Sequence, residues 1–212
     1  TVAAGILVAN VLNGGTSAMI SGGSIDTLGA ASDLVVTATD DSALDATIFL
    51  NIDGRGVGSP IGLGSATAVS GLAALNIVGF TVTNIAAATF DALLGTDFWT
   101  DEHPADITAS IDDTTLVVGG AVLVSATARG LANTTVSNVS RVNATGTIGI
   151  SAKAVSAVLS SNQMSRSAVA TIDGGTSGAP KKLTAVGAVE VSASDEQTIQ
   201  SNVKITSSAV AA

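Results

Sequence analysis

The sequence predicts an all-β fold and, within that class, a parallel β-helix, or β-solenoid. Three observations predict it: apolar and polar residues alternate with a period of two, one strand pattern recurs three times, and large side chains are scarce. Hydrophobic residues make up 46% of the 212 residues, but aromatic residues only 2% and charged residues 12%. Small and β-branched side chains fill a narrow solenoid interior well. The alternative is an antiparallel β-sandwich, because its strands show the same local alternation.

The alternation is clearest in residues 189–194, where Val, Val and Ala occupy one face and Glu, Ser and Ser occupy the other. Residues 44–51, 122–127 and 199–206 follow the same rule. A helix, with 3.6 residues per turn, does not produce this pattern. Each stretch is therefore predicted to be a strand with one apolar face and one polar face.

The recurring pattern consists of an Ala/Ile strand, a turn rich in Gly and Asp, and a Val-x-Val-[Ser/Thr]-Ala-[Ser/Thr] strand. The second strand reaches its Ala at Ala38, Ala126 and Ala193, and the matching first strands contain Ala18, Ala109 and Ala170. With roughly 20 to 25 residues per coil, as is usual for solenoids, the chain would make on the order of nine coils in a rod about 45 Å long. Residues 1–212 are taken as a single solenoid segment that belongs to a longer chain or a filament.

Three segments, Val2–Leu12, Ala66–Val82 and Ile148–Leu159, are apolar or small on both faces. Strands of this kind need a cover on the face turned away from the core. An insertion, a neighbouring domain or another copy of the chain would supply it. The longest near-continuous apolar stretch, Val2–Leu12, is interrupted by Asn10 and is too short for a membrane-spanning helix, so no membrane span is expected.

The charge is strongly uneven along the chain. Residues 1–113 contain 13 acidic residues and one basic residue, whereas residues 114–212 contain four acidic and seven basic residues. The net charge of −9 argues against nucleic acid as a partner, because phosphates need a basic surface. Chance in a sparsely charged chain is one explanation of the asymmetry, and head-to-tail stacking of units is the other. The expected partners are further copies of the chain, by self-association, or neighbouring repeats.

The segment Ile85–Asp106, residues 85–106, interrupts the repeats and contains the single Trp and the single His. Trp99 is a candidate for stacking on a carbohydrate ring. Clustered carboxylates suit Ca²⁺, and the candidate ligands are Asp97, Asp101, Glu102 and Asp106. The competing interpretation is a loop or short helix, Asn84 to Leu94, whose apolar side chains cover a flank, because no Ca²⁺-loop spacing is matched. Apart from this possible Ca²⁺, no cofactor is predicted.

No catalytic residues are predicted, and the protein is not expected to be an enzyme. The chain has one His and no Cys, and it lacks a nucleophile elbow. The adjacent pairs Asp40-Asp41 and Asp112-Asp113 would point to opposite faces of a strand, whereas a glycosidase needs two opposed carboxyl groups across a cleft. A polysaccharide-acting β-helix enzyme is the third and weakest function class. The absence of Cys is compatible with an exported bacterial protein.

The segments Gly5–Asn13 and Gly71–Val78, each upstream of a Val-x-Val-[Ser/Thr]-Ala strand, resemble the repeat regions of very large bacterial exoproteins. These are the filamentous-haemagglutinin-like and leukotoxin-type filamentous adhesins. The resemblance implies a right-handed parallel β-helix, secretion and display at the cell surface. A host or matrix glycan or protein is a further candidate partner. Residues 85–106 and the glycine-rich stretch Asp53–Gly64, interpreted as a linker, depart from the pattern.

The expected function is that of an extracellular structural or adhesive solenoid segment without catalysis. The alternative is a self-assembling subunit of a surface filament that stacks head to tail.

Overall fold

The computed structural model describes residues 1–27, 29, 31–58, 63–82, 84–96, 100–146, 148–175 and 181–212. Almost all of them lie in β-strands, and one α-helix interrupts the series. In chain order the elements are β1 (Val2–Leu12), β2 (Thr16–Asp26), β3 (Leu34–Val57), β4 (Leu63–Val78), β5 (Phe80–Val82), α1 (Ile85–Leu94), β6 (Thr100–Glu102), β7 (Ala105–Val118), β8 (Val122–Thr145), β9 (Ile148–Met164), β10 (Arg166–Asp173), β11 (Leu183–Ala185) and β12 (Val189–Ala211).

The chain makes three successive passes through the same three sheets. The first pass contains β1 to β3, the second β4 to β8, and the third β9 to β12. Sheet 1 has the order β1-β4-β9, and sheet 3 has the order β3-β8-β12. In sheet 2, β7 pairs with β2 on one side and with β10 and β11 on the other. The second pass therefore lies between the first and the third in each of these three sheets.

The fold is almost entirely β and its sheets are largely parallel, as the sequence predicts. Among the described residues, the short β5–β6 pair is antiparallel and all the other pairings are parallel. The alternative of an antiparallel β-sandwich is wrong, because each strand pairs with its equivalent in another pass and not with its neighbour along the chain.

The repeated sequence pattern coincides with the register of the sheets. The matched residues form two continuous rows, Ala18–Ala109–Ala170 in sheet 2 and Ala38–Ala126–Ala193 in sheet 3. The repeating unit is thus a whole pass, and the expected 20 to 25 residues per coil and nine coils are wrong. One pass is long because β1 and β2, of 11 residues each, run out along the molecule and β3, of 24 residues, returns.

Two layers enclose the core, with sheet 3 facing both shorter sheets. The first part of sheet 3, around Val36 and Val124, packs on sheet 2 around Ile107. The later part packs on sheet 1. At about 3.3 Å per residue, the 24-residue strands make a layer roughly 80 Å long. The buried apolar side chains of the described residues are Ala, Val, Leu and Ile, without an aromatic ring, as the composition predicts for a thin core.

The glycine-rich stretch Asp53–Gly64 is mostly not a linker. Residues 53–57 complete β3, and residues 63 and 64 begin β4; residues 59–62 lie outside the described residues. A Cβ atom on Gly56 would lie 2.5 Å from the backbone oxygen of Ser65. The glycine is needed there because two chain segments approach closely, which sequence composition alone does not distinguish from flexibility.

A buried arginine connects the third pass to the first. The side chain of Arg166 is fully buried and forms an ion pair with Asp40. Its Nη1 donates to the Arg129 backbone oxygen at 2.6 Å and to Ser42 Oγ at 2.9 Å. A Cβ atom at position 130 would come within 2.7 Å of Nη1, so Gly130 leaves room for the guanidinium. These contacts join all three passes at one point of the core.

The second pass carries the additional elements β5, α1 and β6 between β4 and β7. Helix α1 occupies the segment for which a loop or short helix is predicted. The Asn84 side chain caps it by accepting from the backbone N–H groups of Ala86 and Ala87 at 2.9 and 3.3 Å. The helix ends at Gly95, which has the left-handed conformation with φ of 67°.

Replacement of Asn84 by alanine is expected to destabilise α1 by about 1 kcal/mol, because two N–H groups of the first turn lose their acceptor. Hydrogen exchange should accelerate in residues 85–94 and stay unchanged in β8. An Asn84→Ser variant, which keeps an acceptor oxygen, is the control. Equal exchange rates in the alanine variant and the natural chain would show that the cap does not hold this helix.

Candidate assembly surface

The two ends of the stack of passes expose unpaired strand edges. Among the described residues, the first-pass strands β1, β2 and β3 each have a sheet neighbour on one side only, and so do β9, β10 and β12 of the third pass. We call these two ends the first-pass edge and the third-pass edge. In a parallel sheet, alternate N–H and C=O groups point toward each neighbour, so a long edge presents a row of unpaired groups. The longest such rows follow β3 and β12, with 24 and 23 residues.

Apolar side chains of the core face are half exposed at the third-pass edge. Val203 is 50% exposed, whereas its row partners Val136 and Ile48 in the second and first passes are 1% and 3% exposed. The same exposure, 45 to 53%, is found for Val189, Val191, Ile199 and Ile205. Each earlier pass is covered by the next one, whereas β12 pairs only with β8 among the strands that the structure describes. The half-exposed side chains along β12 are therefore of the same types as those buried between the passes.

An asparagine column runs through sheet 1 from edge to edge. Asn10, Asn76 and Asn162 share one row, and each Nδ2 reaches the next Oδ1 in the column at 2.9 Å, from the first pass toward the third. Each side chain also donates across the core to a backbone oxygen of sheet 3. These acceptors are Asp45 at 2.9 Å, Asn133 at 2.7 Å and Gln200 at 2.7 Å, which themselves form one row. The column therefore repeats one set of bonds in every pass.

The two ends of this column are complementary. No described residue donates to Asn10 Oδ1 at the first-pass edge. At the third-pass edge, Asn162 Nδ2 has no further Oδ1 ahead of it and donates back to Thr134 Oγ1 at 3.1 Å. The first-pass edge thus has a hydrogen-bond acceptor, Asn10 Oδ1. The third-pass edge has a donor, Asn162 Nδ2, which bonds Thr134 in place of a further asparagine.

The asparagine column was not predicted from the sequence. Asn10 and Asn76 both lie in the segments that carry the family resemblance, but their alternation alone indicates only a strand. Aligning β1 with β4 and β9 through their shared two-sided apolar pattern would have placed Asn162 in the same row.

The uneven charge of the sequence becomes a polarity along the stack. The first pass, residues 1–57, contains six acidic residues and one basic residue. The second pass, residues 63–145, contains seven acidic and two basic residues, and the third pass, residues 148–212, contains four acidic and five basic residues. Locally, Arg129 lies between Asp41 and Glu196 in one row of sheet 3, with its Nε 4.0 Å from Glu196 Oε2. The first-pass edge is therefore the acidic end and the third-pass edge is nearly neutral.

The segments that are apolar on both faces come together as sheet 1, except that residues 80–82 form β5. The outer side of this sheet carries the small-residue row Gly5–Gly71–Ala157, which with Thr89 of α1 lines a groove of about 490 Å³. On the same outer side, Leu75 is buried and Leu7 is 47% exposed. The insertion thus lies beside the face that the sequence predicts must be covered.

The candidate Ca²⁺ ligands and the candidate carbohydrate-stacking residue are only partly within the described structure. Asp97 and Trp99 lie outside the described residues. Glu102 Oε1 accepts from Ser165 Oγ at 2.6 Å, and Asp106 Oδ1 accepts from Ser167 Oγ at 2.5 Å. Asp101 lies in β6. In the part of the chain that the structure describes, no three His, Cys, Asp or Glu side chains are grouped to hold a metal ion. The Ca²⁺ site stays a prediction.

Comparison with known proteins yields no relative for this chain. No family model matches it, and neither a curated protein nor a solved structure does. None of the described helices is long and apolar enough to cross a membrane. Function is therefore inferred from the geometry of the chain itself.

Proposed function

We propose that the chain is a structural segment of an extracellular bacterial surface protein, a right-handed β-solenoid unit that provides length and carries out no catalysis. The observation that carries this proposal is the in-register repetition of the three passes. Equivalent strands, the two alanine rows and the asparagine column all repeat in the same order. A unit of this kind extends by adding further passes and requires no new type of contact.

The distribution of charged groups supports a structural role over an enzymatic one. On the outer face of sheet 3, Asp41 and Glu196 flank Arg129 in one flat row instead of facing each other across a cleft. The buried ion pair of Arg166 and Asp40 belongs to the core and links the passes. The groove over sheet 1 is lined mainly by Gly, Ala, Ile, Leu and Val, which supply no acid or base.

Small-angle X-ray scattering of the dilute chain tests the structural unit. A slab about 80 Å long with two layers and three strands per sheet should have a radius of gyration of about 25 Å. A compact globule of the same number of residues would give about 17 Å. The smaller value would contradict an elongated structural segment.

The extracellular and non-catalytic parts of the proposal have separate tests. Antibodies raised against the chain should label intact, unpermeabilised source cells, and labelling only after permeabilisation would contradict surface display. Incubation with a panel of polyuronides should release no oligosaccharide. Release of products in proportion to protein concentration would instead establish the polysaccharide-acting alternative.

A further inference from the structure

We propose that two copies of this chain join end to end, the third-pass edge of one copy pairing with the first-pass edge of the next. All three sheets continue across this joint in parallel register. The proposal rests on the solenoid unit proposed above and adds the partner, the two surfaces and the register. The contact is heterologous, so it repeats and produces a filament instead of a closed dimer.

The apolar rows favour a second copy over an unrelated partner. Val203 follows Val136 and Ile48 in its row, and Val191 follows Val124 and Val36. In the joint, Val203 would lie beside Ile48 of the next copy, and Val191 beside Val36. These pairs have the same kind of side chains that already pack between passes. A second copy thus covers the half-exposed apolar side chains of β12 with its own β3. The two strands would pack as adjacent passes already do within one copy.

The asparagine column supplies the polar half of the match. Asn162 Nδ2 is the diverted donor at the third-pass edge, and Asn10 Oδ1 is the free acceptor at the first-pass edge. Stacking brings these two atoms into the relation that Asn10 has with Asn76 and Asn76 with Asn162. The backbone groups of β12 and β3 likewise gain partners along 23 and 24 residues.

Charge regulates the joint. The third pass has four acidic and five basic residues and meets the acidic first pass, so the two facing passes do not carry net charges of the same sign. One place opposes assembly, because Glu196 would lie beside Asp41 of the next copy. Within the chain, Arg129 separates Asp41 from Glu196, but the joint has no such basic residue. Removing these like charges should therefore strengthen assembly.

Disulfide trapping tests the register, and the chain contains no cysteine of its own. Thr47 and Asn202 share a row with Thr135 between them, so within one copy they lie two strands apart, about 10 Å, too far for a disulfide. In the joint they become direct neighbours. Oxidation of the Thr47→Cys/Asn202→Cys variant should give a ladder of covalent oligomers. The Thr47→Cys/Thr206→Cys control, displaced by four residues along β12, should give none.

Three further variants separate assembly from folding. Ile199→Lys places a charge among the half-exposed apolar side chains of β12 and should reduce oligomer formation at least tenfold. Thr198→Lys is the control. It places the same charge on the outer face of β12 and should change oligomer formation little. Glu196→Gln should lower the concentration for half-assembly about two- to fivefold, an effect that misfolding would not produce. Analytical ultracentrifugation measures all three variants and the natural chain.

The outcomes distinguish this inference from the proposed function. A monomer at every concentration, without disulfide ladders, would overturn end-to-end stacking, and a radius of gyration of about 25 Å would then still support the structural unit. Crosslinked dimers from the Asn202→Cys variant alone would show third-pass edges meeting each other and would also overturn the proposed joint.

Discussion

Replacement of Arg166 by methionine is expected to lower the free energy of unfolding by about 3–5 kcal/mol, the usual cost of breaking a buried ion pair. The guanidinium is fully buried and bonds groups from the first and second passes, namely Asp40, Ser42 Oγ and the Arg129 backbone oxygen. Methionine fills a similar volume but leaves Asp40 and the carbonyl without their donor. Urea denaturation followed by circular dichroism measures the loss.

Arg55→Met is the matched control, because the Arg55 side chain is 78% exposed in its pair with Asp53. An exposed pair of this kind contributes at most about 1 kcal/mol. Equal midpoints for the two variants would mean that Arg166 does not connect the passes. The additional replacement of Asp40 by asparagine should recover part of the stability lost in Arg166→Met, because it removes the uncompensated carboxylate.

Replacement of Asn76 by alanine is the second change with a large expected effect, a loss of about 2–4 kcal/mol. The Asn76 side chain is fully buried, receives a bond from Asn10, and donates to Asn162 and to the Asn133 backbone oxygen. Its removal leaves these groups without this partner, and each buried unsatisfied group costs roughly 1–3 kcal/mol.

Asn10→Ala provides the comparison, since Asn10 lies at the open end of the column and is only partly buried. Its loss should cost about 1 kcal/mol or less. If the asparagine column fixes the register between passes, the Asn76→Ala variant should be clearly less stable than the Asn10→Ala variant. Denaturation curves of equal midpoint would mean that the bonds of Asn76 are replaced by water without cost.

The strand pattern of the sequence was sufficient to predict which residues share a face and which are equivalent. Alternation with a period of two placed Val189, Val191 and Ala193 on one side, and the repeated pattern placed Ala38, Ala126 and Ala193 in a single row. The segments that are apolar on both faces supply the strands of sheet 1, and their need for a cover stays a prediction. These features are local, so local patterns reveal them.

The length of the repeat was mispredicted because it depends on pairing between distant residues. The glycines after Asp53 are interpreted from the sequence as part of a linker, yet β3 continues through Gly54 and Gly56 to Val57. The burial of Arg166 in the core could not be predicted from the sequence either, because its partner Asp40 is 126 residues away along the chain. Asn76 occupies a core-facing position of β4 although its side chain is polar. Its burial is explained only by its bonds to Asn10 and Asn162, which lie in the same row.

Hydrogen exchange of β8 and β12 at low and high protein concentration tests the central claim most directly. In dilute protein, amides of β8 should be protected throughout, whereas about half of those in β12 should exchange quickly, because alternate N–H groups of an edge strand lack an acceptor. In concentrated protein, the fast amides of β12 should become protected as a second copy pairs with them. Slow exchange of all β12 amides in dilute protein, or fast exchange that persists at high concentration, would contradict an open stack that extends by adding copies.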